Sequence, residues 1–395
     1  MIMTNPFASF WMAGYECSDQ LNSSGDRVDL LGATGHPDQL ESDYRLLKDF
    51  SIATVREGVQ WSRVEHTPYC YDWSRVRKII QAAGQHRIQV LWDLCHFGYP
   101  ADLSPLHPHF TRRFVAFALA FVQLYRSIRP DGPLIVTPIN EVNFISWLGG
   151  EVGATSPYTR NYGWQVKYNL MQAYIQAVKA MKSMDNRLII LTTEPLINII
   201  PGDFDNPHLV EMARKKNEEQ FQMLDMLCGF ICPELEGSPG LADIVGCNYY
   251  HNNQWLYPSE KHLDWWHGPD TRGYKSLSGL CREVAERYGR PVVITETSHE
   301  GADKSLWMQL ITEECRQMIL QGLELWGICI YPVLNRPDWD FPDRWHDSGI
   351  WEVHSHTKER KVQDAYVAVI KSCIEKLANA GQDKHHQPVL QNIQL

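Results

Sequence analysis

The chain has 395 residues, 44% of them hydrophobic and 21% charged, with a formal net charge of −10. No Lys/Arg block stands out and no apolar run is long enough to span a bilayer, so neither nucleic acid nor a membrane is an expected partner. The ten cysteines are scattered singly. Cys95, Cys247 and Cys329 lie in apolar runs, and the pair Cys228 and Cys232 has no second pair or histidine at zinc spacing, so reduced core thiols are expected. The N-terminal residues lack a basic segment followed by a long apolar one, which makes a cytoplasmic location the expectation.

Apolar strand-like runs alternate with amphipathic helical stretches along the chain. The first strand is expected over 10–17, with a helix near 38–50; the second over 53–59, with a helix near 72–85. The third covers 88–94 and is followed by the long helical pattern 108–128. Strand four begins at Leu134, and its helix spans 164–184. Strand five covers 187–193 with a helix over 207–228; strand six covers 242–249 with a helix near 276–288. Strand seven covers 291–297 with a helix over 304–321, and strand eight covers 325–331 with a closing helix over 358–378. The length allows two ordinary domains or one large barrel, and eight strand–helix repeats argue for the second. The expected fold is a single α/β domain over 1–395, a (β/α)8 TIM barrel with its core in 10–378 and a loose polar tail over 379–395. Three long loops rich in aromatic residues follow strands four (144–163), six (251–274) and eight (332–350); they carry Trp255, Trp265, Trp266, Trp339 and Trp345. All three belong on the strand-C-terminal face, where they wall a cleft.

Two glutamates stand just past apolar strand runs: Glu141 in Leu134-Ile-Val-Thr-Pro-Ile-Asn-Glu141, and Glu296 in Pro291-Val-Val-Ile-Thr-Glu296. The C-terminal ends of barrel strands are where chemistry sits, and two carboxylates there are the minimum equipment for cleaving a glycosidic bond. One protonates the leaving oxygen; the other attacks the sugar or activates water. An ionised nucleophile needs a cation beside it, and Arg56, near the end of strand two, is the expected one.

Several segments carry a resemblance to a known family. Val55-Arg-Glu-Gly-Val-Gln-Trp-Ser-Arg-Val64, Leu94-Cys-His-Phe-Gly-Tyr-Pro100, Ile139-Asn-Glu141, Asp243-Ile-Val-Gly-Cys-Asn-Tyr-Tyr250, Ile294-Thr-Glu296 and Asn335-Arg-Pro-Asp-Trp339 occur in order on the expected strands. On these segments the chain resembles glycoside hydrolase family 1, the β-glucosidase-like enzymes of the retaining clan of (β/α)8 glycosidases. The resemblance implies that Glu141 is the acid/base and Glu296 the nucleophile. It implies that Tyr250 donates to Glu296, that Asn140 binds the sugar 2-hydroxyl, and that His96, Asn248, Asp338 and Trp339 line the sugar site. The chain departs from the pattern at Val142 (for Pro), Thr297-Ser298 (for Asn-Gly) and Tyr331 (for Trp). Glu16 is the nearest counterpart of a sugar-binding Gln after strand one. The resemblance implies a carbohydrate or glycoside substrate and no cofactor, because side chains supply both proton and nucleophile.

Three other functions are compatible with such a barrel. A metal-dependent hydrolase needs histidines clustered at strand ends, whereas His107 and His109 precede a helix in a Pro-rich turn; no metal is expected. A sugar-binding scaffold without activity would be expected to lack one of Glu141, Glu296 or Arg56. A transglycosidase uses the same pair and differs in the acceptor that enters. The sequence leaves the sugar, the aglycone and the oligomeric state open.

Overall fold

All eight apolar runs form strands in the computed structural model, which describes residues 4–383. They are β1 (Trp11–Gly14), β2 (Thr54–Gly58), β3 (Gln89–Cys95), β4 (Leu134–Ile139), β5 (Leu188–Pro195), β6 (Ile244–Asn248), β7 (Val292–Thr297) and β8 (Leu325–Ile330). Every strand pairs in parallel with its sequence neighbour, and β1 pairs with β8 to close the barrel. Strands covered by helices outside and filled inside have no wet face, which is why they read as apolar runs rather than alternating ones. Among the described residues no helix is long and apolar enough to cross a membrane.

The barrel interior explains where chemistry can sit. Met12, Leu91, Ile135, Leu191, Ile244 and Val293 form an apolar plug across the barrel. Side chains on a strand return to the same face every second residue. Two residues on from Leu91 the interior therefore holds Asp93, and on β6 it passes from Ile244 through Gly246 to Asn248. A Cβ on Gly246 would stand 2.1 Å from the Thr192 carbonyl oxygen, so this narrow point admits only glycine. On β7 the register slips between Ile294 and Glu296 against β6, and between Ile294 and Thr297 against β8. An irregularity of this kind re-aims the following side chain, here Glu296.

Three segments differ from expectation. The helical stretch 207–228 is two helices, Pro207–Glu219 and Gln222–Cys228, because Asn217 and Gln220 spend their side-chain amides on the backbone of residues 197 and 199. That backbone belongs to a small outer sheet in which Asn198–Pro201 pairs with Gln254–Tyr257, and the latter with Lys261–His262. The loop after β6 is thus partly a sheet. The last helix starts at Asp364, not 358, since a hairpin pairs Trp351–Val353 with Arg360–Val362 and Lys358 sits in a left-handed turn. It continues to Asp383, past the expected end of the core. His385 and His386 lie outside the described residues.

Outside β2, on the face opposite Arg56, Glu57 anchors a buried ionic cluster. His36 Nδ1 lies 2.7 Å from Asp43 Oδ2 and its Nε2 lies 2.9 Å from Glu57 Oε1, while Arg360 donates to Asp43 at 2.8 Å. Burial alone would lower the His36 pKa, but Glu57 and Asp43 outweigh it and push the imidazole up to about 9. A folded-state value above the ordinary 6.5 gives stability that is fully present below pH 6.5 and is lost as pH rises through about 9. Thermal unfolding from pH 6 to 10 should therefore show a loss on the order of 1–3 kcal/mol across that window. The variant His36→Gln should be less stable at pH 6 and lack this slope; an unchanged slope would remove His36 as its source.

Candidate active site

Arg56 is the centre of the polar layer. It projects from β2 into the barrel and is 1% exposed. Its Nη1 donates to Glu296 Oε1 at 2.8 Å and to the Thr295 carbonyl at 2.9 Å, beside the register slip in β7. Its Nη2 donates to Asp93 Oδ2 at 2.6 Å and to Asn140 Oδ1 at 3.2 Å. Tyr250 donates its hydroxyl to Glu296 Oε2 at 2.8 Å. Both oxygens of Glu296 are thus held, one by a guanidinium and one by a phenol.

Glu141 is held differently. It follows β4 in a left-handed conformation (φ 48°, ψ 57°) that a non-glycine residue rarely adopts. Its backbone N–H donates to the Thr193 carbonyl at 2.9 Å. Its carboxyl receives one hydrogen bond from Asn248 Nδ2, at 2.8 Å, and Asn248 is itself fixed by the Thr295 hydroxyl at 2.6 Å. Asn248 is the cross-strand neighbour of Glu296, so one amide links the two carboxylate positions.

This difference in partners sets the charge. Burial raises the Glu141 pKa well above the usual carboxylate range, and the neighbouring charges of Glu296 and Glu194 add to it. Burial and Glu16 also raise the Glu296 pKa, and its net shift is upward, although Arg56 and His96 act against it. Of the two carboxyls, Glu141 has no cation in contact and is the better placed to hold a proton. A protonated carboxyl facing an ionised one can deliver a proton to a bound group while the other carboxylate attacks or activates a nucleophile.

His96 stands between Asn140 and Asp93. The Asn140 side-chain amide lies 3.1 Å from His96 Nε2, and His96 Nδ1 lies 3.1 Å from Asp93 Oδ2. Burial would lower the His96 pKa, but Asp93, Glu16 and Glu296 outweigh it and raise it above the ordinary value. Beyond His96 stand Glu16 and Tyr331. The Tyr331 hydroxyl is 3.4 Å from Glu16 Oε1, its ring is stacked parallel to His96 and lies 4.9 Å from the Arg56 guanidinium carbon. Gly14 makes room for this ring, since a Cβ there would stand 2.0 Å from it. Burial would raise the Glu16 pKa, but His96, Arg336 and the Ser18 donors bring it below the usual range, so it is charged.

Nine of the residues singled out from sequence thus meet at the barrel mouth: Glu141, Glu296, Arg56, Asn140, His96, Asn248, Tyr250, Glu16 and Tyr331. Trp339 stands at their edge, its ring 5.7 Å from Phe97, which touches His96 at 4.7 Å. Asp338 is set further back: its carboxylate accepts from the backbone N–H groups of Asp340 and Phe341 and faces His346 Nε2 at 2.8 Å. Trp265 and Trp266 pack on each other, with Trp265 also against His299 and Trp307; Trp255 packs on His262, and the Trp345 ring faces Lys358.

Two members of the site were passed over in the sequence. Asp93 is a strand-end acid three residues before His96, a spacing that does carry a signal. Glu194, at the end of β5, sits behind Glu141 and accepts from the backbone N–H groups of Val142 and Asn143. Cys17 Sγ lies 3.3 Å from His96 Nδ1 and 3.9 Å from Asp93 Oδ2, so among the described residues Cys17, Asp93 and His96 have metal-ligand spacing. Asp93 Oδ2 in that cluster is already in contact with the Arg56 guanidinium.

No family model matches the chain, and no curated protein matches it in sequence. Among solved structures it is similar to the family 1 β-glucosidase from Thermotoga maritima, with TM-score 0.75 and 16% identity over 96% of this chain and 99% of that one. The complex of a Thermotoga maritima β-glucosidase with glucoimidazole is matched at TM-score 0.75 and 16% identity, over 96% and 100% of the two chains. A β-glycosidase from Pyrococcus horikoshii is matched at TM-score 0.71 and 19% identity, over 91% and 89%. Over nearly its whole length, this chain has the (β/α)8 barrel fold of those glycosidases.

Proposed function

We propose that this protein is a retaining exo-β-glycosidase, with Glu141 as acid/base and Glu296 as nucleophile. The observation that carries the reading is the unequal grip on the two glutamates. Glu296 is held by the Arg56 guanidinium and the Tyr250 hydroxyl, whereas Glu141 has no cation in contact and burial and the charge of Glu296 raise its pKa. The β-glucosidases and β-glycosidase that share the fold support the same reading.

In the first step Glu141 gives its proton to the glycosidic oxygen as a Glu296 oxygen bonds to the anomeric carbon and the leaving group departs. Forming the ester removes the Glu296 charge that held the Glu141 pKa up. Glu141 is left ionised and able to take a proton from water, which attacks the same carbon and frees Glu296. Asn140 contacts the sugar 2-hydroxyl, and His96 and Glu16 contact hydroxyls further from the reacting carbon.

A panel of aryl β-glycosides (gluco, galacto, manno, fuco, xylo) assayed on the purified protein tests this. Release of the phenol and a single sugar from at least one member is expected. Cleavage of none would overturn the reading. Added alcohol acceptors in the same assay separate hydrolysis from transfer, which uses the same two glutamates.

The Glu16 carboxylate gives a pH prediction. Its charge raises the Glu296 pKa, so removing it favours the ionised nucleophile. Glu16→Gln should move the acid limb of kcat/KM to lower pH; a limb that stays or moves upward would contradict this electrostatic coupling.

A further inference from the structure

We propose that Glu194 is a positioning residue that holds Glu141 in its left-handed turn, where the carboxyl meets Asn248, by gripping the two backbone N–H groups that follow it. The inference rests on the catalytic reading of Glu141. Glu194 Oε1 accepts from Val142 N at 2.6 Å and Oε2 accepts from Asn143 N at 3.0 Å. The grip uses both oxygens of a carboxylate that is 5% exposed. Charge-assisted bonds of this length are among the stronger ones a side chain makes to backbone.

The conformation at Glu141 needs such support. A left-handed non-glycine residue is strained and persists only where its surroundings over-determine it. Thr193, adjacent to Glu194 on β5, accepts the Glu141 N–H, so consecutive residues of one strand bind three consecutive backbone N–H groups, 141 to 143. The helix that follows, Val142–Ile145, is only four residues long and passes into a wider π-helical turn, Ser146–Val152. It supplies little rigidity of its own.

The charged and titratable groups facing Glu194 are Glu141 from the end of β4, and Lys167 and Tyr174 from the helix Gly163–Met184. Burial pushes the Glu194 carboxyl up to about 7, while the two backbone N–H groups and Lys167 oppose this. In its ionised form Glu194 adds to the charge that raises the Glu141 pKa.

Three variants separate positioning from charge and from folding. Glu194→Asp keeps the charge but is one methylene too short to hold both N–H groups. Its kcat on β-glycosides with poor leaving groups should fall about tenfold, with KM and the basic limb of the pH profile near those of the parent. Glu194→Gln and Glu194→Ala remove the charge as well, so kcat on poor leaving groups should fall about 10- to 100-fold and the basic limb should move to lower pH. On activated aryl glycosides kcat/KM, which reports the first step, should be spared in all three, because their leaving groups need no proton. Equal losses of kcat/KM across leaving groups, or a lowered unfolding temperature with parental kinetics, would overturn the role. If Glu194→Ala does not fold, the Asp and Gln variants decide. Loss of the leaving-group pattern in Glu141→Ala would instead sink the reading of Glu141, and the two failures are distinguishable.

Discussion

Glu296→Ala should lower turnover by on the order of 10⁵-fold with every leaving group, because in the proposed mechanism it removes the nucleophile rather than an aid to it. The loss is expected to be uniform, since good leaving groups still need something to attack the anomeric carbon. Glu296 also carries the interactions that organise the mouth: Arg56 Nη1 and the Tyr250 hydroxyl both end on it. Removing the carboxylate leaves the guanidinium facing an open space the size of a small anion. Azide entering there should attack from the nucleophile's side and yield a glycosyl azide of inverted configuration. A variant that keeps parental turnover on activated glycosides would contradict the assignment.

Glu141→Ala should separate substrates by leaving group. Where the leaving oxygen is a poor one, loss of the proton donor should cost about 10²- to 10⁴-fold in kcat/KM. With an activated aryl leaving group, bond cleavage should survive, and the slow step becomes attack by water without base help. The carboxyl that accepts the Asn248 amide at 2.8 Å is then absent, on the side from which water is activated. Azide needs no base, so it should restore turnover and give a product of retained configuration. Steady-state kinetics across a series of phenols of graded acidity reads this directly. Parallel losses across the series, with no response to azide, would exclude the acid/base role.

The barrel was legible because its strands are buried on both faces and read as apolar runs bounded by polar ends. For the same reason the ends could be named to within a few residues, and with them Glu141, Glu296 and Arg56. What escaped were features with no residue-type signal. Glu194 acts on backbone N–H groups, which look the same whatever side chains they carry, and nothing at positions 142 and 143 announces a partner on β5. The outer sheet of residues 198–201, 254–257 and 261–262 is built from segments too short to show a period. The break in the helix over 207–228 comes from Asn217 and Gln220 reaching a neighbouring strand, a tertiary event in an unbroken helical pattern. Asp338 was legible as an acid after strand eight, but its direction is set by the local turn to Asp340 and Phe341 and by His346. Asp93 is a different case, since its spacing from His96 was readable and its neighbour drew the attention.

The central claim is that Glu296 forms a covalent bond to the sugar. It is tested most directly by incubating the protein with a 2-deoxy-2-fluoro aryl β-glycoside of a sugar it cleaves, then locating the label by mass spectrometry of the digested chain. The fluorine slows both steps, and an activated leaving group lets the first outrun the second. One fluoroglycosyl group per chain, on the peptide that contains Glu296, is the expected result. A protein that cleaves the parent glycoside yet carries no label, or carries it on a residue other than Glu296, would contradict the account.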